Sequence, residues 1–322
     1  MKRHCGVRLF LAAALLFATG APALADYTIT GDVSSGYTPS SLTGSLWSVL
    51  SGGLVSHSNA GSQNNPYVMD YVVVTGSGGQ QMTYSVGEID SNVAGGLSNV
   101  QIAANGSGGY NLTGPNNVTI TNVSNINVAY VPLPSTSLWG NYNSSNGVSS
   151  SFNIFGPGLT ATSDNPSTLP NGLTGTYGVP GGTSVAVGST TYYGISLASL
   201  LSNAGVVTSN PNQVVVAVGS DGFEVVMSMN EITTAGDEEM IVDGASGTNT
   251  SYYYNVNNGV VTLENGGDGF ARTIIGGDGS THGLWDDNIV ALEVLPTPVP
   301  PALLLMAPAL AGMGLLRKRR FV

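Results

Sequence analysis

Val214-Val215-Val216-Ala217-Val218-Gly219-Ser220-Asp221-Gly222-Phe223-Glu224-Val225-Val226-Met227-Ser228-Met229-Asn230-Glu231-Ile232 decides how this chain is read. It opens on a short, β-branched apolar run, the composition of a strand buried in a core. Gly219 to Gly222 supply a turn, and an alternating strand follows, so the stretch predicts a β-hairpin. A Glu-Ile step then gives the hairpin a defined exit.

The same pattern stands earlier in the chain, where Tyr71-Val72-Val73-Val74 reads as another buried strand. Val74 to Ile89 aligns without gaps with Ala217 to Ile232, and six of the sixteen columns are identical. Upstream, Ser45-Leu46-Trp47-Ser48-Val49-Leu50 matches Ser196-Leu197-Ala198-Ser199-Leu200-Leu201. Both place apolar residues at i, i+3 and i+4, one face of a short helix. Downstream, each copy closes with an apolar strand ended by proline, Val128 to Pro134 and Val290 to Pro296. The expected organisation is two tandem copies, residues 26–134 and 152–295, joined by a loose linker, 135–151. The expected fold class is α+β, predominantly β, with short helices. The composition agrees: 45 glycines and only 8% charged residues suit strands joined by polar turns and argue against long helices.

Positive charge sits almost entirely at the two ends. Lys2, Arg3 and Arg8 open the chain, and Arg317, Lys318, Arg319 and Arg320 close it. The body from Asp26 to Pro296 sets 19 acidic residues against the single Arg272, a formal charge of −18. Such a body is not built to hold nucleic acid or anionic lipid.

The basic start precedes the apolar run Leu9 to Ala18 and the small-residue site Ala23-Leu24-Ala25, the three parts of a secretory signal over residues 1–25. Signal peptidase would cut after Ala25. Cys5, the only cysteine, lies before the apolar run, so the exported chain would carry no disulfide, thiolate ligand or cysteine nucleophile. At the other end, Pro296-Thr297-Pro298-Val299-Pro300-Pro301 breaks regular structure. The apolar run to Leu316 then gives about 18 residues, roughly 27 Å as a helix, enough to cross a hydrocarbon core. The terminal basic cluster should stay cytoplasmic and leave the body outside. An ordinary single-pass anchor is one reading of residues 296–322.

This tail also resembles the PEP-CTERM family of bacterial sorting tails, in its Val-Pro-Leu-Pro-Ala-like variant. Pro298, Val299, Pro300, Pro301 and Ala302 stand at the motif, and Arg317, Lys318, Arg319 and Arg320 at the basic end. Neither an intact Pro-Glu-Pro nor Val-Pro-Leu-Pro-Ala is present. The resemblance implies an exosortase as partner, a Gram-negative host that makes exopolysaccharide, and residence in the envelope or matrix.

Residues from about Tyr192 to Leu295 resemble the molybdopterin-binding domain of sulfite-oxidase-like oxidoreductases. The resemblance is carried by the Leu197 to Leu201 helix, Ser220-Asp221-Gly222-Phe223, the stretch around Arg272, and Ile289 to Val294. It implies two degenerate domains of that fold, the first lacking the Asp-Gly and the Arg. A cofactor site, if retained, would use Asp221, Arg272 and His282. Catalytic members hold molybdenum through a cysteine thiolate, which a hydroxyl does not replace. With no cysteine in the body and one Arg to meet a pyrophosphate, the expectation is a domain without bound cofactor and without enzymatic activity.

Other groupings point less sharply. Asp237-Glu238-Glu239, Asp243, Asp268-Gly269, Asp278-Gly279 and Asp286-Asp287-Asn288 offer oxygen ligands for Ca²⁺, without EF-hand or nonapeptide spacing. They also read as solvated turns. His57 and His282 stand far apart, so a histidine site would have to be built by folding. Tyr252-Tyr253-Tyr254 and Tyr192-Tyr193 could stack on sugars or simply serve as strand residues. No Gly-x-Ser-x-Gly lies between a strand and a helix. The expected function is that of an exported surface or matrix protein with a structural or binding role, with exopolysaccharide or another surface polymer as a candidate partner. A molybdopterin-dependent periplasmic oxidoreductase and a calcium-dependent adhesin are the alternatives.

Overall fold

The computed structural model describes residues 26–57, 66–92, 100–115, 118–140, 142–143, 148–149, 152–157, 159–164, 182–187, 190–233, 239–243, 252–257, 260–265, 271–275, 284, 286 and 288–296. The segments expected to be signal peptide, with Ala23 and Ala25, and sorting tail, from Pro298 onward, lie outside the described residues. The described chain is predominantly β, with several sheets and a few short helices. Among the described residues no helix is long and apolar enough to cross a membrane.

The first half runs through β1 (Thr28–Gly31), β2 (Gly44–Ser45), α1 (Leu46–Leu50), β3 (Asp70–Gly76) and β4 (Gln81–Ser85). It continues through α2 (Val86–Ile89), β5 (Gln101–Ala104), β6 (Tyr110–Thr113), β7 (Thr119–Ile120) and β8 (Val123–Tyr130). Next come the small hairpin β9 (Tyr142–Asn143) and β10 (Val148–Ser149), then β11 (Phe152–Gly156), β12 (Leu159–Asp164), β13 (Gly182–Val187) and β14 (Thr190–Ser196). The second half proceeds with α3 (Leu197–Asn203), β15 (Val214–Gly219), β16 (Glu224–Ser228), α4 (Met229–Thr233) and β17 (Glu239–Asp243). It closes with β18 (Tyr252–Asn257), β19 (Val260–Asn265), β20 (Ala271–Ile275) and β21 (Ile289–Val294).

Both halves build their main sheet in the same order. In the first, β1 runs parallel to β8, β8 antiparallel to β3, and β3 antiparallel to β4. In the second, β11 runs parallel to β21, β21 antiparallel to β15, and β15 antiparallel to β16, with β12 added outside β11. Smaller sheets, β2-β5-β6-β7 in the first half and β13-β14-β17-β20 in the second, complete the layers.

The shared residues do shared work. In the two hairpins the Gly76 N–H donates to Gln80 O and the Gly219 N–H to Phe223 O, at 2.9 and 2.8 Å. Gly79 and Gly222 sit at φ +79° and +86°, the left-handed region where an L side chain is disfavoured. Ser45 and Ser196 cap α1 and α3 by accepting from Ser48 N–H and Ser199 N–H, each at 3.1 Å. Ser85 and Ser228 likewise accept from Glu88 N–H and Glu231 N–H, each at 3.2 Å. The Glu-Ile step is therefore the first turn of a short serine-capped helix, and in the second half Glu231 closes a Ser-x-x-Glu capping box on Ser228.

The closing strands differ from the sequence expectation in one half. β8 spans Val123–Tyr130 rather than Val128 to Pro134. Pro132 and Pro134 lack the N–H a ladder needs, so pairing with the β3 segment ends on the Val131 N–H to Met69 O bond. The start of the expected loose linker is held in place. Thr136–Leu138 forms a 3-10 turn, and Asn153 donates to Leu138 O and Trp139 O, both at 2.9 Å.

β15 is buried along its whole length and faces two cores. Val215 and Ala217 pack with Phe152, Leu197, Leu201, Met227 and Leu292, while Val214, Val216 and Val218 pack with Val226, Val290 and Val131. The first half has its own core, centred on Leu46, Leu50, Val72, Val74, Tyr84 and Ile126.

The halves meet where β4 and β16, the outer strands of the two sheets, lie side by side. Both are almost wholly buried there, which hides two sheet edges from solvent. Val68 and Met69 of the first half enter the core of the second, and the Val226 N–H donates to Val68 O at 2.9 Å. Glu231 joins the two helix starts: its Oε2 accepts from Ser228 N–H at 2.6 Å and its Oε1 from Ser85 N–H at 3.0 Å. One buried carboxyl thus receives the cap N–H of α4 and that of α2 across the junction.

Candidate functional site

β1 stops at Gly31, whose φ of +90° turns the chain so that the Asp32 N–H still reaches Val128 O at 2.9 Å. A Cβ on Gly31 would stand 1.9 Å from that same carbonyl oxygen, so only glycine fits between β1 and β8. Asp32 then leaves the sheet, and its carbonyl accepts from Val55 N–H at 3.5 Å, which draws the segment carrying His57 alongside. Asp70 opens β3 directly opposite Tyr130, the last residue of β8. The end of β1, the end of β8 and the start of β3 therefore share one corner of the first sheet.

Three ligand-type side chains converge at that corner. His57 Nε2 is hydrogen-bonded to Asp32 Oδ2. Donor atoms of Asp32, His57 and Asp70 all lie within 4.8 Å of one another. The His57 ring stacks on Tyr130, with centroids 3.9 Å apart and planes 19° from parallel. His57 and Asp32 keep 22% and 23% of their side-chain surface exposed, whereas Asp70 keeps none. Neither carboxyl oxygen of Asp70 has a hydrogen-bond partner.

The electrostatics follow from burial in an acidic body. Burial, and then the neighbouring Asp32, push the Asp70 carboxyl up to about 8. The Tyr130 phenol is raised by its loss of water and then by Glu224, Asp70 and Asp32. Glu224, buried on β16, is itself pushed up to about 8 by burial first and Glu293 second. Acidic groups from both halves thus act on one corner, and the body holds one arginine against them.

Gly31→Ala is expected to lower stability by about 2–4 kcal/mol, from the left-handed conformation and the collision with the Val128 carbonyl together. Chemical denaturation checks it. An unchanged midpoint would mean that β1 can leave β8 at no cost, and that the corner is not fixed by the sheet.

The residues singled out from sequence fall as follows. Asp221 is exposed in the β15–β16 turn, where its Oδ1 accepts from Phe223 N–H at 2.9 Å. Arg272 lies on β20 opposite Val242, in a different sheet, and His282 lies outside the described residues. Of the acidic turns, Glu239 and Asp243 end β17 and Asp286 is buried, its N–H donating to Thr273 Oγ1 at 2.8 Å. Asp237, Glu238, Asp268, Asp278 and Asp287 lie outside the described residues. Tyr192 and Tyr193 sit on β14, and Tyr252, Tyr253 and Tyr254 on β18.

The Asp32, His57 and Asp70 grouping carries no motif, because the residues are separated in sequence and joined only by the sheet corner. One signal was present: Asp70 is a charge set directly against the apolar run Tyr71 to Val74. Compared with protein-family models and with curated proteins, the chain finds no match.

Proposed function

We propose that the protein is an exported, exosortase-sorted envelope or matrix protein whose body is two fused copies of one β-rich module in a structural or binding role. The signal-like residues 1–25 and the PEP-CTERM-like residues 296–322 support the address. The observation that carries the body's role is the shared sheet order, first strand parallel to last with a hairpin beside it, locked across the junction by Glu231. A module pair that buries its own sheet edges in a mutual junction is a rigid spacer or display unit, protected from edge-to-edge aggregation.

The sulfite-oxidase-like resemblance is read as a scaffold without its chemistry. The donor set does not fit a molybdenum pterin: no cysteine follows Cys5, and Asp221 and Arg272 stand on separate sheets. Mass spectrometry of the protein from its native host tests the reading. The expected species begins at Asp26 and lacks the basic terminus. An intact Arg317 to Arg320 on most of the cellular protein would overturn sorting in favour of a plain anchor. Near-stoichiometric molybdenum and pterin per chain would overturn the non-catalytic role.

A further inference from the structure

We propose that Asp32, His57 and Asp70 bind one divalent transition-metal ion of the zinc class, with the imidazole Nε2 and two carboxylates as ligands. Four observations converge on it. The donor atoms already lie within 4.8 Å of one another. A tetrahedral ion with bonds of about 2.0–2.2 Å holds its ligands roughly 3.5 Å apart, so small side-chain rotations close the site.

Asp70 supplies the second, independent reason. Its side chain is fully buried, aimed at His57 and Asp32, and neither oxygen is hydrogen-bonded. A buried carboxyl in that state requires a cation or a proton as partner. The one Lys or Arg of the body, Arg272, is on β20. The ion would take the place of the His57 Nε2–Asp32 Oδ2 hydrogen bond, with the imidazole carrying its hydrogen on Nδ1.

The ligand set selects the metal. An imidazole disfavours Ca²⁺ and Mg²⁺, which take all-oxygen shells, and the absence of thiolate disfavours Cu⁺. Imidazole with two carboxylates suits Zn²⁺, with weaker binding of Mn²⁺ in the usual order of divalent affinities. Tyr130 stacked on His57 holds the ring plane, and it leaves His57 and Asp32 partly open to solvent for the ion to arrive. Three protein ligands leave the remaining position to water.

The experiment uses the purified full chain, stripped with EDTA and then titrated with zinc chloride or calcium chloride in a calorimeter and in thermal melts. The expected result is one high-affinity zinc per chain and a raised melting temperature with zinc but not with calcium. Asp70→Asn and His57→Gln should each weaken zinc at least about a hundredfold, because loss of even an outer-shell partner costs roughly 10–100-fold. Asp221→Asn, an exposed acid in the β15–β16 turn outside the ligand group, should leave the affinity unchanged. Zinc binding that survives both ligand variants, or an equal response to calcium, would overturn the proposal. Cobalt titration of the wild-type chain keeps the test independent of variant folding: it should give the visible absorption of a tetrahedral nitrogen–oxygen site. A featureless spectrum would count against the site as firmly as an absent zinc response.

Discussion

Glu231→Ala is expected to lower the unfolding free energy by about 3–5 kcal/mol. The carboxyl is buried and accepts the N–H groups of Ser228 and Ser85, which open helices in different halves. Alanine leaves both buried donors unsatisfied at about 1–3 kcal/mol each and adds a small cavity. Glu231→Gln should cost less, about 1–3 kcal/mol, because its carbonyl oxygen still serves one donor while its amide faces the other. Urea denaturation measures both. If the two variants melt like the wild type, the junction is not held by this carboxyl. A biphasic transition in Glu231→Ala alone would show that it also couples the halves into one cooperative unit.

Stability is expected to rise as the pH falls from about 8 to about 5, the reverse of ordinary acid denaturation. Glu224 is pushed from 4.5 up to about 8, by burial first and by Glu293 second. Burial raises Glu231 in the same direction, outweighing its hydrogen bonds from Ser228 and Ser85. Between the unfolded and folded values the native state holds protons that the unfolded chain has released. The unfolding free energy therefore falls with pH, by up to about 1.4 kcal/mol per pH unit for each group. The contribution is complete below about 4.5 and is lost as the pH passes about 8. Urea midpoints taken in EDTA across this range should drop steadily toward alkaline pH, and Glu224→Gln should flatten the slope. A midpoint that is level, or that rises with pH, would mean these carboxyls are ionised in the fold at no cost.

Much of the body was legible because its elements are local. Val214 to Val218 is apolar and β-branched without interruption, so it could only be a strand buried on both sides, as β15 is. The identical columns at Gly79 and Gly222 and at Ser85 and Ser228 mark a left-handed turn and a serine helix cap, both set by a few consecutive residues. The limits of β8 were less legible. Its pairing with β3 ends on the Val131 N–H to Met69 O bond, directly before Pro132, but it begins at Val123, five residues ahead of the apolar run read from sequence.

Sequence by itself determined the β-rich class, the paired hairpins, and the segregation of positive charge to the two ends, because each depends on residue type and short-range spacing. Only the tertiary structure decided that the first strand of each half lies parallel to its last, that Glu231 reaches across to Ser85, and that Asp32, His57 and Asp70 meet. Those three outcomes are long-range. Each depends on which sheet edges are buried together and which carboxyls are thereby cut off from water, and no window of neighbouring residues contains that information.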